Sequence, residues 1–210
     1  LRSLRRAQTR LDSSQAEARG SHPLYRRPKA CTMGQSACNP QKNQLALRGC
    51  SVTGNEYKRL IARYLLAAYA KRGIHLYEEV PIGTSIIGKQ RRVDLLLLEP
   101  SSGAALVIEC KSQDSSGTAD EKIPYALDDL RALRMPGVIA YAGGGFSEGV
   151  LHLLQSTELA AYCLPDDTLK PMPRKSGESI DSGTWQLDHV LALTFKWWDV
   201  LLSGRTPMVL

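Results

Sequence analysis

The chain has 210 residues, 43% hydrophobic and 23% charged, the balance of an ordinary globular protein with enough apolar material for a core. Its longest apolar runs, at 95–98 and 104–108, fall far short of the ~20 residues that a bilayer span needs, so no membrane partner is expected. The net charge of +6 is uneven: residues 1–50 hold 10 Lys/Arg against 2 Asp/Glu, and residues 51–210 hold 17 against 19.

Residues 1–50 are expected to be a basic, disordered tail, because Arg, Ser, Gln, Pro and Gly without apolar periodicity cannot repay the entropy of ordering. Cys31, Cys38 and Cys50 fit no zinc spacing. Five cysteines without a dense framework, and no cleavable signal, point to a reduced, cytoplasmic (intracellular) protein. The Arg- and Ser-rich, acid-poor tail also has the composition of an organelle transit peptide, so targeting stays open.

Organised structure is expected from about residue 51. Leu60, Ile61, Tyr64, Leu65 and Ala68 recur at helical spacing, and Gly73 ends the run. Three strands are predicted at 74–81, 92–98 and 104–111, the last two joined by Glu99-Pro100-Ser101-Ser102-Gly103. A helix follows, either capped by Thr118 with Glu121 or beginning at Pro124. A buried strand at 138–142, a Gly143-Gly144-Gly145 turn, a helix at 147–155 and a short strand at 160–164 complete an α/β domain over 51–164. A linker or surface loop is expected at 165–184. A C-terminal amphipathic helix at 185–210 would pack on the core or on a dimer partner.

The chemistry concentrates in the second and third strands. Alternation puts Glu109, Lys111 and, if the strand persists, Gln113 on one face. If Leu98 faces Ala105 across the turn, Asp94 faces Glu109, with Cβ atoms ~5 Å apart. Two carboxylates so close repel unless a cation lies between them. Oxygen ligands of this kind suit Mg²⁺, which polarises a phosphate and acidifies a bound water. Lys111 would help deprotonate that water or stabilise charge growing on the phosphoryl oxygens. The plain alternative is a solvated strand face of paired charges, although both acids adjoin apolar runs where unpaired charge is costly. His22, His75, His152 and His189 show no ligand spacing. The triple glycine lacks the Lys-Ser/Thr of a P-loop.

These residues resemble the PD-(D/E)XK nucleases. Asp94 takes the place of the first acid of that motif, with Val93 where its name has proline, and Glu109-Cys110-Lys111 matches the (D/E)-x-K tripeptide. The order of elements over about 54–164 is similar to the superfamily's restriction-endonuclease-like mixed-sheet core: helix, three strands, helix, strand. The resemblance implies a Mg²⁺-dependent DNA endonuclease, with Mn²⁺ as a substitute and a homodimer to cut both strands. It implies metal binding by Asp94, Glu109 and the main-chain carbonyl of Cys110, with Lys111 at the attacking water. Glu56 resembles the helical glutamate that often completes the site, and equally reads as a first-turn partner of the helix dipole. Gln113 is similar to a glutamine found two residues after the lysine in several subfamilies. Lys122 and Tyr125 lie in a segment that resembles one following the motif, and with Arg91 and Arg92 are candidate nucleic-acid contacts. A non-catalytic nucleic-acid-binding or assembly module, and a nuclease acting on RNA or branched DNA, remain alternatives.

Overall fold

The computed structural model describes residues 53–208 except Ser116 and Lys175. The basic tail with its three cysteines and His22 lies outside the described residues. The described residues open with a helix, Gly54–Tyr69 (α1), continued by a 3₁₀ turn at Ala70–Arg72 and closed by Gly73 at φ 77°, the left-handed conformation glycine adopts without steric cost. Strands His75–Thr84 (β1), Gln90–Glu99 (β2) and Ala104–Ser112 (β3) follow. Helix Ala119–Arg131 (α2), strand Gly137–Ala142 (β4), helix Glu148–Ser156 (α3) and strand Ala160–Tyr162 (β5) come next, then helices Trp185–Phe195 (α4) and Trp198–Leu202 (α5). No helix among the described residues is long and apolar enough to cross a membrane.

The five strands form one sheet in the order β1-β2-β3-β4-β5. The pairs β1–β2 and β2–β3 are antiparallel, while β3–β4 and β4–β5 are parallel. Leu98 faces Ala105, the register expected from the turn. Alternation divides the core between the two faces of the sheet. Leu95, Leu97, Leu106, Ile108, Val138 and Ala140 pack with α1 and α4, whereas Val107, Ile139 and Tyr141 pack with α2 and α3. Burial on both faces explains why β4 is apolar throughout. The result is the restriction-endonuclease-like mixed α/β architecture.

Three local expectations are corrected. The Thr118 side chain does not cap α2, which starts at Ala119 and holds Pro124 within it. Instead the Ala119 N–H donates to Gln113 Oε1 at 2.9 Å, so a side chain from the preceding strand end does the capping. Proline in the second turn costs the helix one internal hydrogen bond, and the chain starts its helix upstream regardless. At the C-terminus, the single expected helix is two, broken at Lys196 with φ 58°. The break turns Trp197 inward, where it stacks on Tyr69 and Phe195 at centroid distances of 5.3 and 4.8 Å, and leaves Trp198 exposed.

Candidate active site

The pairing of β2 with β3 runs from Glu99↔Ala104 to Leu95↔Ile108 and ends there, although both strands continue. At the next position the Asp94 carboxylate accepts a hydrogen bond from the Cys110 N–H at 2.8 Å, filling the place of a ladder rung. On the other side of β2 the same level is irregular. Glu79, whose neighbours Glu78 and Val80 pair with Leu95 and Val93, has φ 53°. That left-handed value is strained for a residue with a long side chain. The facing of β2 changes here as well: Leu95 and Leu97 belong to the α1-side core, while Val93 joins the α2-side core. The outer half of the β1–β2 ribbon therefore curls away from β3, and the sheet opens at Asp94.

Asp94, Glu109 and Lys111 meet at this opening. Lys111 Nζ lies 3.0 Å from Glu109 Oε2 and 3.7 Å from Asp94 Oδ2, with side-chain exposures of 23%, 18% and 26% for Lys111, Glu109 and Asp94. Burial pushes the Glu109 carboxyl above its usual range, an effect opposed by the Lys111 charge and reinforced by Asp94. Burial alone would lower the Lys111 ammonium, but Glu109 and Asp94 outweigh it and raise it, so this lysine is a fixed positive charge rather than a free base. The cluster holds two acids and one cation in a half-buried setting, and its electrostatics favour additional positive charge at Glu109.

A second cation approaches Asp94 from α1. Lys58 is buried and pairs with Glu79. The hydrogen bond to Glu79 raises its pKa, with Asp94 and Glu78 adding to the effect. Sequence reasoning missed both residues. The only signal was register, which puts Glu79 beside Asp94 once β1 is known to pair with β2.

The remaining candidates divide. Gln113 is buried, and its side chain is fully engaged: Nε2 donates to Asp120 Oδ1 at 2.9 Å and to Gly145 O at 2.8 Å, while Oε1 accepts from Ala119. It ties the end of β3 to the start of α2 and to the glycine loop, where a Cβ on Gly143 would lie 2.2 Å from Gln113 O. Glu56 is not brought to the cluster; it accepts from the Thr53 N–H and hydroxyl at 2.9 and 2.8 Å, the reciprocal bond of a capping box, and these bonds depress its pKa. Arg91 is corrected too. Its guanidinium is buried against Asp129, with Nε and a terminal nitrogen 2.7 and 2.9 Å from the carboxylate oxygens, so it clasps β2 to α2 and is withdrawn from solvent. Arg92, Lys122 and Tyr125 are exposed.

The donor set fits a hard divalent cation of Mg²⁺ type, which takes one or two carboxylates and otherwise keeps water. The Cys110 N–H points to the opening, and in a strand the carbonyl of the same residue points to the same side, which places that oxygen with the two acids. Among the described residues no three His, Cys, Asp or Glu side chains converge as a closed metal cage; any ion here would be held by two side chains and main-chain oxygen.

No curated protein matches the chain. Among solved structures, the crystal structure of a repair endonuclease from Pyrococcus abyssi is similar at 18% identity and a TM-score of 0.29, covering 61% of this chain and 48% of that one. The chain thus spans about half the length of that structure. The family model of the PD-(D/E)XK nuclease superfamily domain matches residues 53–198, a segment that starts at the cap of α1, takes in the whole sheet with the Asp94–Glu109–Lys111 cluster, and ends at α5. The chain belongs to the PD-(D/E)XK nuclease superfamily.

Proposed function

We propose that the protein is a metal-dependent endonuclease that hydrolyses phosphodiester bonds in DNA. The observation that carries this reading is the convergence of Asp94, Glu109 and Lys111 where β2 and β3 part. Asp94, Glu109 and the Cys110 carbonyl would hold Mg²⁺ or Mn²⁺, which when bound polarises a phosphate oxygen and lowers the pKa of a water. Lys111, charged and held by both acids, orients the attacking water and stabilises charge growing on the phosphoryl oxygens. Gln113 fixes the end of β3, and so the aim of Lys111, through its bonds to α2 and the glycine loop. Arg92, Lys122 and Tyr125 contact the nucleic acid beside the site. A homodimer would cut both strands, and the exposed Leu193, Trp198 and Leu202 of α4 and α5 support a contact between copies.

The test is nicking of supercoiled plasmid in millimolar Mg²⁺ or Mn²⁺ by the wild type, Glu109→Ala and Lys111→Ala. Cleavage that needs metal and drops by a factor of 10² or more in both variants, roughly the contribution of a positioned charge or general base, is the expected result. A folded wild type that binds DNA without cutting it would instead make this a binding module. Cleavage of RNA or branched DNA alone would reassign the substrate.

A further inference from the structure

The β1–β2 tip carries the strongest feature that the catalytic reading leaves unused. Its turn, Ser85 to Gly88, is closed by Gly88 N–H donating to Ser85 O at 2.9 Å and Ser85 N–H donating to Lys89 O at 2.8 Å. The two central residues are Ile86 and Ile87, 48% and 59% exposed. Such positions normally take Gly, Pro, Asn, Asp or Ser, and here two β-branched side chains leave about half of their surface in water. The tip is also held rigid: Ile86 N–H donates to Asp129 Oδ1 at 2.9 Å, and the same carboxylate is gripped by Arg91.

Charge indicates what the tip meets. Residues 81–92 contain Lys89, Arg91 and Arg92 and no acid. Arg91 is spent on Asp129, while Lys89 and Arg92 are exposed and make no ion pair with another described residue. Lys122, Tyr125 and Asp129 are spaced to share one face of α2, so the cation and aromatic ring lie on the face that clasps the hairpin. The tip is joined to the catalytic cluster by β2 itself. Asp94 follows Ile87 by seven residue steps, at most about 23 Å of strand, or some six to seven phosphate steps along one DNA strand.

We propose that the β1–β2 tip is a nucleic-acid wedge, in which Ile86 and Ile87 insert between base steps of duplex DNA while Lys89 and Arg92 hold the flanking phosphates. Apolar wedges of this kind unstack a step and kink the duplex, and a preformed, clasped turn avoids the entropy of ordering on binding. The inference rests on the nuclease reading for the identity of the ligand, but its test does not use cleavage.

The experiment is titration of the full chain, without divalent metal, against short duplexes carrying 2-aminopurine at successive positions, with affinity measured over a range of salt. Wild type should raise 2-aminopurine fluorescence on binding. Ile86→Ala/Ile87→Ala should lose that rise and roughly tenfold in affinity at an unchanged salt slope and melting temperature. Lys89→Ala or Arg92→Ala should lower the slope of log K against log salt by about 0.9 each and keep the fluorescence rise. A double isoleucine variant that still unstacks DNA overturns the wedge. So does one whose only change is from dimer to monomer in sedimentation, which would make the tip a contact between copies. A wild type that unstacks DNA but never cuts it in Mg²⁺ overturns the nuclease reading alone, and one that cuts without unstacking overturns the wedge alone.

Discussion

Asp188 is the most heavily committed buried carboxylate among the described residues. It accepts from the hydroxyls of Tyr64, Tyr69 and Thr184, the last two at 2.8 Å, and so stitches α4 to α1 beneath the sheet. Asp188→Ala would strand three hydroxyl donors in the core at a cost of about 3 kcal/mol or more, readable as a lower denaturation midpoint. Asp188→Asn keeps an acceptor for the two tyrosines and should cost less. The two also differ in their pH dependence. Burial raises the Asp188 pKa despite its three donors, so its contribution is fully present below the unfolded value near 3.9 and is lost as pH rises through the folded value. Relative to wild type, the stability of Asp188→Asn should therefore improve as pH climbs from about 4; a flat difference in urea midpoints would show that the carboxylate ionises without penalty. Lys58 and Glu79 form the other consequential pair. Glu79→Ala would leave a buried ammonium with a distant partner only, and is expected to cost roughly 1–3 kcal/mol, whereas Glu79→Gly should recover part of that through relief of the positive φ.

At the scale of elements, the clasp between β2 and α2 is a unit with its own titration. Arg91 holds the Asp129 carboxyl below its usual range. Its stabilisation is present above the unfolded value near 3.9 and disappears as pH falls through the folded one. Asp129→Asn should loosen the hairpin without unfolding the sheet, and hydrogen exchange at the Ile86 amide, which donates to that carboxylate, should lose protection at neutral pH. Unchanged protection would mean that the turn is rigid by itself. This clasp was not legible in the sequence, because its partners lie 38 residues apart and nothing local distinguishes Arg91 from Arg92. The Asp94–Glu109–Lys111 cluster was legible because a short turn fixes the register of β2 against β3 as far as Leu95↔Ile108, one residue short of Asp94, and alternation along β3 puts Glu109 and Lys111 on one face; the parting of the strands at Asp94 was not. Glu56 was misleading for the same local reason: a glutamate three residues after a threonine is both a motif position and a capping box, and Thr53 won it. The break at Lys196 carried no signal, since it puts lysine where glycine is the usual residue.

For the whole molecule, charge is divided between the segment outside the described residues and the domain. Residues 51–210 carry 17 Lys/Arg and 19 Asp/Glu, so under the proposed function a domain of slightly negative balance would meet phosphates through local cations rather than net charge. The full chain should therefore bind DNA with a steeper salt dependence than a chain beginning at residue 51. Cleavage at saturating DNA should be the same for both, as single-turnover rates would show. Equal salt slopes would mean that the tail stays off the DNA.

The Asp94 carboxylate occupies the Cys110 N–H and so acts as a stop in a zipper. Alanine at that position would remove the stop and offer β2 a bare backbone donor, inviting the two strands to close further and bury Glu109. An inert Asp94→Ala protein would then be a differently paired sheet, whereas Asp94→Asn keeps an oxygen for Cys110. The amide of residue 110 would tell them apart, by exchanging at the wild-type rate in the asparagine variant and more slowly in the alanine one.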